Sequence, residues 1–247
     1  WLPFYLTPFF HIPIAHFVSM GAQIDAIDLA IERVAIDFPG TIGVCTRTQA
    51  ETFSFADLCL PIGGSGVDPA LYEYCDTPNN ELAWLGRISP EKALEDAVAA
   101  AQRTGIKLKI MGKIQDPAYW EQIQRDYPTA PIEYLGFLPT HQLQRSLRTC
   151  RGMLMTPRWV EAFGNVAIEA LACGVPVIAY RRGGTAEIVE DGKTGFLVEP
   201  DSVDGLVTAI GRLDEIDRAN CRHTAATVFS QSVWGDVVEN WFYRLLW

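Results

Sequence analysis

The fold is decided by Met153-Leu154-Met155-Thr156-Pro157-Arg158-Trp159-Val160-Glu161-Ala162-Phe163-Gly164-Asn165-Val166-Ala167-Ile168-Glu169-Ala170. The apolar run at 153–155 reads as a buried strand, and an apolar helical pattern begins near Gly164. Strand, loop and helix in that order open a βαβ crossover, and in an open parallel sheet ligands bind in the crevice beyond the carboxyl ends of the strands. A small residue at Gly164 lets a ligand approach the first-turn N–H groups, whose partial positive charge suits a diphosphate. Glu161 precedes the helix and Glu169 lies on its early turns. One carboxylate can accept hydrogen bonds from sugar hydroxyls and the other from a ribose. Either Glu taken singly would merely complement the helix dipole; the stretch as a whole asks for more.

Outward from this stretch, short apolar runs alternate with amphipathic ones. Strands are expected at 82–85, 108–111, 132–135, 153–155, 175–179 and 196–198. Helical spacing lies between them, as in Ala93, Leu94, Ala97, Val98 and Ala101. Ser89-Pro90 reads as a helix N-cap followed by Pro at the first helical position, and Gly105 and Gly174 sit where helices should stop. Strands separated by helices imply crossovers and a parallel sheet covered on both faces. The fold class is therefore α/β, a Rossmann-like domain over 79–229. Residues 1–78 add strands at 14–18, 42–45 and 58–62, and a helix with Ile24, Ile27, Ile31, Val34 and Phe38 on one face. Three strands make only an incomplete second Rossmann-like domain. The loop-rich stretch from Gly63-Gly64-Ser65-Gly66 to Pro78-Asn79-Asn80 marks the boundary. The last helical segment, within 230–247, is expected to pack back onto 1–78.

Composition narrows the function. Among 247 residues, 20 Lys+Arg face 30 Asp+Glu, a net charge of −10. That argues against nucleic acid or an anionic membrane surface as partner, since both need clustered cations. An anionic ligand must then be held by a few local cations and backbone N–H groups. The six cysteines form no CxxC pair and no ligand-like spacing with the four histidines, so no metal site is expected. They read as reduced thiols of a cytoplasmic protein. The apolar opening Trp1-Leu2-Pro3-Phe4-Tyr5-Leu6 is broken by Pro3 and Pro8 and has no basic stretch before it, so it is neither a signal peptide nor an integral membrane segment.

Two further stretches flank the expected crevice. In Leu85-Gly86-Arg87-Ile88-Ser89-Pro90-Glu91-Lys92 a strand ends at Gly86, and Arg87 and Lys92 project from the strand-end loop. Two cations there would neutralise a diphosphate, although alone they would read as solvated surface charges. In Tyr180-Arg181-Arg182-Gly183-Gly184-Thr185-Ala186-Glu187, paired glycines after a strand read either as a backbone-lined edge of the crevice or as turn punctuation. Gly195 permits a tight entry into the last strand.

In order and spacing these stretches resemble the C-terminal domain of the retaining family-four glycosyltransferases of the GT-B fold, over about residues 80–215. The resemblance is carried by Gly86-Arg87 with Lys92, Gly136-Phe137, Glu161 and Glu169, and Gly174-Val175-Pro176-Val177. Gly183-Gly184 with Glu187 and Gly195-Phe196-Leu197-Val198 complete it. It implies a metal-independent, cofactor-free transfer of a hexose from a nucleoside-diphosphate sugar, with UDP-sugar favoured, to a hydroxyl of a small-molecule or glycan acceptor. It further implies that Arg87 and Lys92 hold the diphosphate and Glu161 contacts the donor sugar. The N–H groups of Gly164, Asn165 and Val166 would meet phosphate or sugar, Glu169 the ribose, and the backbone around Phe137, beyond Gly86, the base.

In the N-terminal part, the strand beginning at Ile12-Pro13-Ile14 puts Ser19 where the family has a His facing the acceptor, while His16 reads as a core histidine. The opening also resembles cyanobacterial glucosyltransferases acting on pterins. Family members set two domains of similar size around the donor cleft, so a further N-terminal segment of roughly a hundred residues is expected. Without it, transfer should be poor. Two other functions remain open: a sugar-nucleotide 2-epimerase, which would need no acceptor, and a sugar-nucleotide-binding module without turnover.

Overall fold

The computed structural model describes residues 2–246. The N-terminal part runs α1 (Leu2–Leu6), β1 (His16–Val18), α2 (Asp25–Asp37), β2 (Ile42–Val44), α3 (Arg47–Ala50) and β3 (Leu60–Pro61). There follow β4 (Glu81–Leu85), α4 (Leu94–Thr104), β5 (Lys107–Met111), α5 (Pro117–Asp126), β6 (Ile132–Gly136), α6 (Thr140–Leu147), β7 (Gly152–Met155) and α7 (Asn165–Ala172). The chain continues with β8 (Val177–Tyr180), α8 (Thr185–Ile188), β9 (Gly195–Val198), α9 (Val203–Gly211), α10 (Arg218–Thr227) and α11 (Gln231–Leu246).

The first three strands pair in parallel in the order β1-β2-β3, and the other six form a parallel sheet in the order β6-β5-β4-β7-β8-β9. The latter order starts in the middle and grows outward in both directions, so the crossover direction reverses between β4 and β7. There Leu82 lies opposite Gly152 and Trp84 opposite Leu154. Helices cover both faces of this sheet, which is why every residue of β7 and β8 is buried and why those strands read as continuous apolar runs. Each fully buried Leu, Ile or Met here stabilises the fold by about 1.5–3 kcal/mol.

The start of α4 departs from expectation. Ser89 does not cap it. Pro90–Lys92 form a single 3₁₀ turn, Ala93 adopts a left-handed conformation with φ 44°, and the α-helix begins at Leu94. The Ser89 hydroxyl instead bonds the Glu91 carboxylate at 2.7 Å.

A smaller core of Val18, Ile31, Val34, Ile42, Val44, Phe53 and Phe55 serves the N-terminal sheet. His16 is buried there, its Nε2 2.7 Å from the Thr7 hydroxyl and its ring 4.7 Å from Phe4. Burial lowers its pKa, because a charged ring is poorly solvated there. Beside these, α11 lays Trp241 against β2 and donates its indole N–H to the Gly40 carbonyl at 2.7 Å. Arg218, buried in α10, donates to the carbonyls of Cys75, Cys150 and Arg148 at 2.7–3.0 Å, tying the segment before β4 to the entry of β7. Phe17 on β1, Ile24 just before α2, and Leu29 and Ile36 on α2 are exposed.

All six cysteines are free, and only Cys75 is not buried. Burial pushes Cys45 and Cys59 up to about 11 and Cys150, Cys173 and Cys221 up to about 12. At pH 8 a thiol reagent should therefore titrate Cys75 rapidly and the other five only on unfolding. Because these thiols bind their protons more tightly folded than unfolded, their contribution to stability should be constant below the ordinary thiol value of 9.0 and fall as pH rises above it. Rapid reaction of several thiols in the folded protein would contradict the burial.

Candidate active site

At the reversal between β4 and β7 the carboxyl ends of both strands open onto a cleft of about 320 Å³. Gly86, Arg87 and Lys92 line it from the β4 side, Glu161, Gly164, Asn165 and Val166 from the β7–α7 side, and Ser19, Cys45 and Gly64 from the N-terminal part. Lys92 is placed by a contact across the sheet. The Thr156 hydroxyl, at the end of β7, is shared between the carbonyls of Lys92 (3.0 Å) and Ala93 (2.8 Å) and accepts the Trp84 indole N–H at 3.2 Å. This fixes the left-handed Ala93 and turns Lys92 toward Glu161.

Glu161 Oε2 accepts from both Lys92 Nζ, in a short ion pair, and Trp159 Nε1 at 3.1 Å. The Lys92 ammonium lies 4.8 Å from the centre of the Trp159 ring and the Arg87 guanidinium 5.9 Å from it. Arg87 also donates to Gln115 at 2.8 Å. The loop carrying Glu161 is braced from behind. The Glu161 carbonyl accepts the Gly184 N–H at 2.6 Å, the Arg158 N–H donates to the Glu91 carbonyl at 2.9 Å, and Arg182 donates to the Pro157 carbonyl at 3.1 Å. Arg158 also reaches Asp96 at 3.1 Å, and the Tyr180 hydroxyl reaches the same carboxylate at 2.7 Å. Burial raises the Asp96 pKa, while the Tyr180 bond and the Arg158 charge pull it back.

Gly164 precedes α7 with φ 113°, a conformation that side chains disfavour, and a Cβ there would lie 2.9 Å from Thr185 Oγ1. That hydroxyl is buried with no hydrogen-bond partner among the described residues. The first N–H groups of α7 have no intrahelical acceptors. The cleft thus presents two cations on its β4 side and a carboxylate with a helix N-terminus on its β7–α7 side, the cations and the N-terminus being able to stabilise a departing anion.

Two depressions adjoin it. Asn165 is shared with one of about 230 Å³, lined by Ser65, Tyr72 and Glu169. Burial raises the Glu169 pKa, and a hydrogen bond from the Tyr72 hydroxyl lowers it in part. Gly86 and Arg87 are shared with the other, an apolar slot of about 590 Å³ lined by Phe137, Gly112, Lys113 and Leu138. Among the described residues no group of His, Cys, Asp and Glu is arranged to hold a metal ion, and no helix is long and apolar enough to cross a membrane.

The family described as glycosyl transferases group 1 matches residues 76–227, the whole of the six-stranded sheet and its helices. The chain belongs to that family. As a group 1 glycosyl transferase it is similar to the D-inositol 3-phosphate glycosyltransferase of Mycobacteroides abscessus, 35% identical over 140 residues, or 53% of this chain and 31% of the relative. The protein of the same description from Stackebrandtia nassauensis is 26% identical over 92% of this chain and 64% of its own length. The chain thus spans less than two thirds of each of these curated relatives. Among solved structures, Anabaena HepE in complex with UDP superposes with a TM-score of 0.83 at 19% identity, covering 94% of this chain and 72% of HepE. A glycosyltransferase from Rickettsia africae does so at 0.83 and 16% identity, over 100% of this chain and 74% of that one. The fold is α/β and of the GT-B type.

The residues singled out in the sequence fall around this group 1 transferase cleft and its two side depressions. Gly86, Arg87, Lys92, Glu161, Gly164, Asn165, Val166 and Ser19 share the main cleft, whereas Glu169 and Phe137 sit at opposite ends of the track. Of the two readings open for the paired glycines, the structure carries the turn and not the crevice edge. Gly183 and Gly184 do not line the cleft; they press against the backbone of residues 161–163, where a Cβ on Gly183 would lie 2.5 Å from the Glu161 nitrogen. Glu187 likewise faces away, accepting from the Thr48 N–H at 2.7 Å and hydroxyl at 2.6 Å at the start of α3. Sequence reading missed Trp159, Thr156 and this Thr48–Glu187 junction. Trp159 lay inside the deciding stretch, but nothing in its spacing says where a loop side chain points.

Proposed function

We propose that the chain is the donor-binding half of a retaining, metal-independent glycosyltransferase. It moves a hexose from a nucleoside-diphosphate sugar, with UDP-sugar favoured, to an acceptor hydroxyl. The observation that carries this is the convergence of Arg87, Lys92 and the α7 N-terminus on the cleft that also holds Glu161. The base slot beside Phe137 and the carboxylate of Glu169 extend that cleft in the two directions a nucleotide needs. HepE, whose structures hold UDP and UDP-glucose, supports UDP as the base carrier to test first.

In this reading the sugar–phosphate bond breaks while the acceptor oxygen approaches the same face, and the departing diphosphate takes the acceptor proton. Lys92, Arg87 and the α7 N–H groups stabilise the charge that grows on the diphosphate, the largest single contribution such sites make. The Glu161 carboxylate faces the sugar as it becomes cationic. The work is done in the cytoplasm. Acceptors to try are an inositol phosphate, after the relatives' descriptions, and a pterin, after the resemblance of the opening.

Arg87→Ala and Lys92→Ala should each weaken UDP binding about tenfold and uridine binding less than twofold, measured by calorimetry, since a charge-assisted contact is worth about 1.5–3 kcal/mol. Equal weakening of uridine and UDP would remove the phosphate assignment.

A further inference from the structure

We propose that Trp159 is a positioning residue for the donor sugar, holding the Glu161 carboxylate in place when Lys92 turns to the diphosphate. The proposal rests on the assignments of Glu161 and Lys92 just made. Its geometry is specific. Two donors meet on one oxygen, Glu161 Oε2: the Lys92 ammonium and the Trp159 indole N–H at 3.1 Å. The same indole offers its face to Lys92 at 4.8 Å and to Arg87 at 5.9 Å. One side chain therefore sets the distance between the cations and the carboxylate.

The three contacts respond differently to a diphosphate. Its oxygens compete with Glu161 for Lys92, because a doubly charged acceptor draws an ammonium more strongly than a single carboxylate does. The indole N–H cannot follow, since it is fixed by a rigid ring two residues from Glu161. It remains as the bond that keeps the carboxylate aimed at the sugar. The ring face, the aromatic surface best suited to cations, meanwhile keeps Lys92 and Arg87 together despite their mutual repulsion. A packing role accounts poorly for Trp159: it is only partly buried and belongs to neither hydrophobic core.

The test separates the N–H from the ring. UDP and UDP-glucose are titrated by calorimetry into the 247-residue chain and into Trp159→Phe, Trp159→Leu and Trp159→His, with thermal melts of each. Trp159→Phe, which keeps a ring and loses the N–H, should weaken UDP-glucose about tenfold and UDP less than twofold, the loss of one hydrogen bond to a charged group. Trp159→Leu should weaken both ligands. Trp159→His restores a ring N–H and should recover most of the UDP-glucose affinity lost in Trp159→Phe. Equal effects of Trp159→Phe on the two ligands, no effect on either, or a failure of Trp159→His to recover affinity while still folded would each overturn the proposal. If the unaltered chain binds neither ligand, the donor-binding reading falls and this proposal with it. If it binds both and the Trp159 variants do not discriminate, only this proposal falls.

Discussion

Glu161→Gln should lower turnover of a nucleotide sugar, followed as UDP release, by about 10²–10³-fold, the usual loss when one preorganised charge-stabilising group is removed. Its melting temperature should move by no more than about 6 °C. The two expectations come from different magnitudes. The Lys92–Glu161 pair keeps only 18% of each side chain exposed, between a surface pair and a buried one, so neutralising Glu161 costs about 1–2 kcal/mol of stability. A glutamine keeps the shape and the hydrogen bond from Trp159 but offers no negative charge to a sugar becoming cationic. Lys92 would also lose its protein counter-ion, so UDP binding should be unchanged or slightly stronger while turnover falls. A melting temperature that drops in proportion to activity would instead make Glu161 a structural brace for the loop ahead of α7.

The larger sheet was legible because its strands are buried on both faces and therefore nearly continuous in apolar residues, as in Leu82-Ala83-Trp84 and Val177-Ile178-Ala179. The sequence also placed the cations and the Glu161 loop after strand ends, but that those strands, β4 and β7, are neighbours is visible only in the sheet order. What escaped depends on partners far apart in the chain. Ala93 has no intrinsic preference for the left-handed conformation that starts α4; Thr156, 63 residues on, imposes it by hydrogen bonding the Ala93 carbonyl. Glu187 carried part of the family resemblance with no partner assigned, and it ends on Thr48, 139 residues away. The glycines at 183 and 184 gave a correct local signal, close backbone approach, but only the tertiary fold shows that the approaching backbone is the Glu161 loop and not a ligand.

A close approach of the same kind yields the largest expected effect on stability. Gly112, unremarked in the sequence, follows β5 with φ 148°, and a Cβ there would lie 1.8 Å from the Gly86 carbonyl oxygen. No rotation relieves this, because the obstacle is backbone and that backbone is itself paired. The Gly86 N–H donates to the Met111 carbonyl at 3.0 Å, the Gly112 N–H to the Gly136 carbonyl at 2.8 Å, and the Tyr134 hydroxyl to the Gly112 carbonyl at 3.0 Å. Three adjacent strand ends, those of β4, β5 and β6, thus meet through glycine beside the slot at Phe137, which Gly86 and Gly112 line. Gly112→Ala must either push the end of β4 away from β5 or strain φ at residue 112, which alone costs about 1–3 kcal/mol. With the ladder bonds disturbed, the total should reach about 3 kcal/mol or more. Urea unfolding should show a midpoint lowered accordingly. In the fraction still folded, binding of both UDP and inorganic diphosphate should weaken, because Gly86 lines the Phe137 slot and Arg87 follows it directly. A loss below about 1 kcal/mol with UDP binding intact would mean that the two strand ends can separate freely, and that UDP binding does not depend on their contact.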